Sequence, residues 1–172
     1  MRLARAASAR TGFVATARPS DPDMQTRIAH HRAERPREWV TVEEPLDVAA
    51  TCRRLTPQYD LIVIDCLTVW VANLLEAGRD DTAVLSGADE IAAVLGARGV
   101  SMIVVSNEVG EGVHPPTDIG RRYRDLLGAV NQRVAAAADL VTLMVAGIPV
   151  PIKGAASGLP WGQGPDRSHE AP

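Results

Sequence analysis

The sequence predicts an α/β protein, a mostly parallel sheet with helices on both faces, and three observations carry that prediction. Runs rich in β-branched residues alternate along the chain with stretches of helical periodicity. Two of the runs, "DLIVIDC" (60–66) and "SMIVVSN" (101–107), are almost continuously apolar, the pattern of strands covered on both faces. Finally, 172 residues with 46% hydrophobic and 23% charged content suit one globular domain with a substantial core. Aromatic residues make up only 3%, so Val, Leu, Ile and Ala must fill that core.

In chain order, "GFVATA" (12–17) is the first predicted strand. A helix is expected over 21–35, with Asp21 as N-cap and Pro22 in the first helical position. "WVTVEE" (39–44) is the second strand and 45–55 the second helix. The strand 60–66 precedes helices at 67–77 and 82–98, and 101–107 is followed by a helix over 117–137. "DLVTLMVAG" (139–147) completes the strands. Residues 1–153 form the single domain, and the Gly/Pro/Ser-rich segment 154–172 is expected to be a flexible tail. No repeat is visible.

The net charge of −3 gives no reason to expect a nucleic-acid partner, and no apolar run approaches the ~20 residues of a membrane span. The basic start, "MRLARAASAR", lacks the apolar stretch of a secretory signal, so a cytoplasmic location is expected. Cys52 and Cys66 have no metal-ligand spacing and read as reduced, buried thiols. Charge is unevenly spread: residues 1–40 hold eight arginines against Asp21, Asp23, Glu34 and Glu38, a surplus of four positive charges. Such a segment suits a small anionic ligand, as well as a solvated helix face.

Ligands of such sheets gather beyond the carboxyl ends of the strands, where Thr16, Asp65 and the run Ser106-Asn107-Glu108 lie. Asp65 closes "LIVID", the way a nucleotide-binding enzyme presents a carboxylate to Mg²⁺; a strand-end Asp also caps a following helix. Two of the four histidines are adjacent, in "DMQTRIAHHRAERPREW" (23–39). At 100° per residue, Met24, Ile28 and His31 share an arc of about 60°, which predicts that His31 faces the body and His30 the solvent. An inward histidine serves either as a hydrogen-bonded core residue or as a catalytic group. Nearby Arg27, Arg32 and Arg35 disfavour imidazolium, and a neutral imidazole beside guanidiniums is what attack on phosphorus requires.

The run R-I-x-x-H-x-x-x-R-P-x-x-W-x-T-x-E, here Arg27, Ile28, His31, Arg35, Pro36, Trp39, Thr41 and Glu43, closely resembles one family. It is the bifunctional adenosylcobinamide kinase / adenosylcobinamide-phosphate guanylyltransferase family of cobalamin biosynthesis. The likeness continues through "VIDCLTVWVANLL" (63–75), "VVSNEVGEGVHP" (104–115), "RRYRDLLGAVNQRVAAAAD" (121–139) and "VAGIPVPIKG" (145–154). It implies a P-loop-type sheet in a homo-oligomer. It also implies two reactions: phosphorylation of adenosylcobinamide from ATP or GTP, then transfer of GMP from GTP to the resulting phosphate. His31 would carry GMP as a phosphoramidate. Ala15, Thr16, Ala17, Arg32, Ala33, Glu34, Arg35, Glu43 and Asp65 would contact the nucleotide, with Asp65, often Glu in relatives, meeting Mg²⁺ directly or through water.

One family hallmark is missing from these 172 residues. No G-x-x-x-x-G-K-[ST] occurs, and the only lysine is Lys153, in "IKGAA". The resemblance implies that about twenty residues of the pattern, the first strand and this phosphate loop, have no counterpart here. Either the start is misplaced or the chain is a true truncation; for the sequence as it stands, poor or absent kinase activity is expected in both cases. The alternative function is that of a non-catalytic homologue that binds corrinoid or pairs with a full-length copy.

Overall fold

In a computed structural model, residues 10–154 are described, so the expected tail beyond 154 lies outside the described residues. The elements are β1 (Thr11–Ala15), α1 (Pro22–Ala33), β2 (Val40–Glu43), α2 (Val48–Leu55) and β3 (Leu61–Asp65). After them come α3 (Leu67–Glu76), α4 (Asp81–Gly96), β4 (Ser101–Val105), α5 (Asp118–Ala137), β5 (Val141–Val145) and β6 (Ile148–Lys153). The first four strands form one parallel sheet in the order β2-β1-β3-β4, as the apolar runs predict.

That order creates a switch point in the sheet. The chain steps from β1 to one side for β2, then returns past β1 to β3 and β4. Right-handed crossovers therefore put α1 on the opposite face from α2, and the direction reverses between β1 and β3. The carboxyl ends of those two strands, Ala15 to Ala17 and Asp65, flank this switch point.

Alternation along β1 and β3 divides the core. Val14, Ile62 and Ile64 face a large cluster with α2 to α5, in which Trp70, Leu127 and Val130 are buried. Phe13, Ala15, Leu61 and Val63 face a smaller cluster with Trp39. Trp70 carries the largest fully buried side chain, and its indole N–H donates to the Leu46 carbonyl at 2.8 Å, so its burial leaves that donor satisfied. Helix starts follow the sequence: Asp21 accepts from Met24 N at 2.8 Å, Asp80 from Ala83 N at 2.8 Å, and Thr117 from Gly120 N at 3.2 Å.

Three differences from expectation have physical causes. The run 101–107 was expected to be covered on both faces. Instead β4 is the edge strand among the described residues, half-exposed along its middle, with Val105 38% exposed. An apolar run reports a preference for burial and not a position in the sheet. Second, 139–147 does not join the parallel sheet; β5 pairs antiparallel with β6, a strand absent from the sequence prediction because Pro149 and Pro151 argue against one. Ala146 and Gly147 both have positive φ, 50° and 78°, the two-residue turn whose twist suits a hairpin. Third, α1 has no buried residue, which corrects the placement of His31 as described below.

Of the two thiols read as buried, Cys52 is buried and Cys66 only half-buried. Cys52 is 1% exposed, and burial pushes its thiol up from 9.0 to about 12. Below the unfolded value both states keep the proton and the contribution to stability is intact. As pH rises past it the unfolded chain loses its proton first, so stability falls by up to about 1.4 kcal/mol per pH unit until the folded thiol ionises. Denaturant midpoints taken from about pH 8 to 10 should therefore fall more steeply for the parent chain than for Cys52→Ala.

Candidate functional site

The carboxyl end of β1 is tied to that of β3 by one side chain. The Thr16 hydroxyl accepts from Cys66 N at 2.9 Å and donates to Cys66 O at 2.8 Å, while Thr16 N donates to Asp65 O at 3.1 Å. Asn73, buried on α3, donates to Thr16 O at 2.8 Å and to Pro45 O at 3.1 Å. Thr16 is fully buried and its only hydroxyl proton is spent on Cys66 O, so the hydroxyl is closed to an incoming ligand. Ala15 is buried, its carbonyl accepting from Glu44 N at 2.9 Å, and Ala17 is half-buried at the strand exit. Of the residues expected at this strand end, Ala17 and the half-exposed Asp65 are open to an incoming group.

The second part is built at the end of α1. Arg32 forms an ion pair with Glu43, linking α1 to the end of β2. Arg35 turns under the helix, its guanidinium carbon 3.8 Å from the centre of the Phe13 ring. Trp39 lies beside the same ring, centroids 6.1 Å apart and planes inclined by 24°. One Arg35 Nη donates to Thr41 Oγ1 at 3.3 Å, and Arg35 Nε is buried without a hydrogen-bond partner. Burial pulls the Arg35 pKa below its ordinary value, against the pull of the Asp65 charge. Arg32, Ala33, Arg35, Pro36, Arg37, Trp39 and Thr41 line a cleft of about 610 Å³. Three guanidiniums and no carboxylate line it, which suits an anion with several oxygens.

The structure brings half of the ten expected site residues to or toward one cleft. Arg32, Ala33 and Arg35 line the cleft, Glu43 reaches it through Arg32, and Asp65 acts electrostatically on Arg35. Glu34 stands at the C-cap of α1 and pairs with His30 at 3.5 Å. His31 was expected to face inward, and the structure corrects this: Met24 and Ile28 are half-buried as predicted, but His31 is exposed and sits just before the first residue of the cleft. The arc identifies the side of the helix and not its depth. With only Met24 and Ile28 as large apolar side chains, α1 has too little to bury to be drawn onto the sheet.

Four contributors were missed. Trp39 and Thr41 stood in the quoted motif but carry no chemistry by type. Arg37 was counted only as charge, and Phe13, the chain's sole phenylalanine, was assigned to a strand and nothing more. By contrast, Asn107, Arg121, Arg122 and Arg124 are engaged with groups of the protein itself. Asn131 donates to Asn107 O at 3.0 Å, Arg121 to Pro115 O and Pro116 O at 3.0 Å, and Arg122 to Asp81 at 2.7 Å, while Arg124 lies 2.9 Å from His114 Nδ1.

Among the described residues no group of three or more His, Cys, Asp or Glu could cage a metal. Mg²⁺ accompanying a nucleotide needs only one or two carboxylates besides the phosphates, and the half-exposed Asp65 fits that lesser requirement. Among the described residues no helix is long and apolar enough to cross a membrane.

Comparison with known proteins bears on this arrangement. The family model described as cobinamide kinase / cobinamide phosphate guanyltransferase matches residues 1–152. The bifunctional adenosylcobalamin biosynthesis protein CobP of Pseudomonas aeruginosa is 43% identical over 154 residues, 89% of this chain and 88% of the relative. The bifunctional adenosylcobalamin biosynthesis protein CobU of Salmonella typhimurium is 41% identical over 155 residues, 82% of this chain and 84% of the relative. The protein of the same name from Escherichia coli is 33% identical over 153 residues, covering 82% and 84%. Together with the parallel sheet, these matches show that the chain belongs to the cobinamide kinase / cobinamide phosphate guanyltransferase family.

Proposed function

We propose that this chain transfers GMP from GTP to adenosylcobinamide phosphate through a covalent GMP–His31 intermediate. The observation that carries this reading is the cleft lined by Arg32, Arg35 and Arg37, which begins one residue after a solvent-accessible imidazole. In the first step a His31 ring nitrogen attacks the α-phosphorus, the N–P bond forms, the bond to the β-phosphoryl oxygen breaks, and pyrophosphate departs. In the second, a phosphate oxygen of the acceptor attacks the same phosphorus and the N–P bond breaks, returning His31 free. The three guanidiniums would oppose the charge that builds on the phosphoryl oxygens. Mg²⁺, held by Asp65 with the phosphates, would supply further charge neutralisation.

Incubation with α-labelled GTP and Mg²⁺ should give a protein adduct labile to acid and stable to alkali, as a phosphoramidate is. The adduct should be discharged by adenosylcobinamide phosphate. A non-catalytic homologue would give no adduct at any GTP concentration.

The kinase half has less support in this chain. Lys153, the only lysine, donates to the carbonyls of Ala135 and Ala136 at 3.0 and 2.8 Å, closing the end of α5. It is engaged far from any phosphate role. Each charged hydrogen bond to phosphate is worth about 1.5–3 kcal/mol, so phosphorylation of adenosylcobinamide should run at least about a hundredfold below the guanylyl step. Chromatography of the corrinoid products separates the two. The exposed ribbon of Met144, Val145, Ile148, Val150 and Ile152 supports a homo-oligomer, since an isolated apolar hairpin is poorly stable in water.

A further inference from the structure

We infer that Phe13 is a positioning residue: its ring forms a shelf that orients the Arg35 guanidinium toward the nucleotide anion. The inference rests on the nucleotide reading of the cleft and adds to it the device that points its central donor. Arg35 is half-buried close to two carboxylates, Asp65 and Glu43, yet forms an ion pair with neither; its side chain meets the Phe13 ring face and makes one long hydrogen bond to Thr41. Its Nε has no partner. A structural arginine at such depth satisfies its donors on carboxylates or carbonyls. One held over a ring face leaves N–H donors unspent on the protein, and an oxyanion can accept from them. Phe13 is itself immovable, being fully buried on β1, whose neighbours β2 and β3 pair with it on both sides, and flanked by Trp39. The shelf therefore inherits the rigidity of the sheet, whereas α1, which brings Arg35 to it, has no buried residue.

The composition offers a direct test. Phe13 is the only phenylalanine in the sequence, so growth on fluorinated phenylalanine alters this ring and no other. Mono- and trifluorination drain π-density in steps while keeping apolar volume. GTP affinity, read by titration, should fall in the same order, by about three- to tenfold for the trifluorinated ring, with little change in melting temperature. Arg35→Ala should weaken GTP at least as much and shift the fluorine NMR signal of the ring. If Arg35→Ala weakens GTP but fluorination does not, the shelf is refuted while the nucleotide cleft stands. If Arg35→Ala leaves GTP affinity unchanged, the cleft reading itself fails. If fluorination lowers melting temperature in step with affinity, Phe13 is a packing residue only and the inference is overturned.

Discussion

In the His31→Ala chain, label from α-labelled GTP should no longer become covalently attached, a loss of at least about a thousandfold, as expected when a nucleophile is removed. His30→Ala should retain labelling within about twofold of the parent. The neighbours differ in what they already do. His30 is paired with Glu34 one turn on, whereas no ion pair or hydrogen bond engages His31 among the described residues. An imidazole without an internal partner keeps a ring nitrogen available for phosphorus. Its exposure sets a requirement on the mechanism: the nucleotide must be brought to the ring, or the end of α1 must shift toward the switch point. The anchoring of α1 permits the second, because its links to the sheet are the Arg32–Glu43 pair and Arg35 on Phe13 and not a packed apolar face. Mass spectrometry of labelled peptides locates the attachment. Label that persists in His31→Ala and disappears in His30→Ala would move the nucleophile to the other ring.

What could be seen in the sequence divides along physical lines. The strands around "LIVID", the Asp21 cap and the α-helix after it depend on neighbours within a few residues, and they form within two residues of where the pattern puts them. Sheet position does not: "SMIVVSN" is as apolar as an interior strand and still lies at an edge. The β6 strand was hidden because prolines usually veto strands, although in a two-stranded ribbon one edge needs no donors. At the candidate site, the motif contains Arg35 but says nothing of its contact with Phe13, since contact between a loop guanidinium and a β1 ring twenty-two positions earlier depends on the whole crossover. The assignment of Thr16 to a nucleotide and its burial under Cys66 make the same point. A residue type at a strand end says which chemistry is near, while the partner of its hydroxyl is decided by the adjacent strand.

Thr16→Val should lower stability by about 2–4 kcal/mol, because the isosteric methyl leaves two Cys66 backbone groups without partners. For a chain of this size that is a fall in melting temperature of about 5–15 °C, measurable by calorimetry. Thr16→Ser, which keeps the hydroxyl, should recover most of it. The size follows from the geometry: one oxygen both accepts and donates across the β1–β3 gap at 2.9 and 2.8 Å, in a residue with no solvent exposure to supply replacement water. The functional consequence should appear in turnover more than in GTP affinity. Cys66 follows Asp65 directly, so releasing it loosens the carboxylate proposed to meet Mg²⁺, while Arg32, Arg35 and Arg37, the proposed phosphate contacts, are left in place. A direct contact between the Thr16 hydroxyl and the nucleotide makes the opposite demand: GTP binding would weaken in Thr16→Val with the melting temperature unmoved. Measuring both quantities on one variant separates a strand-end clasp from a ligand contact.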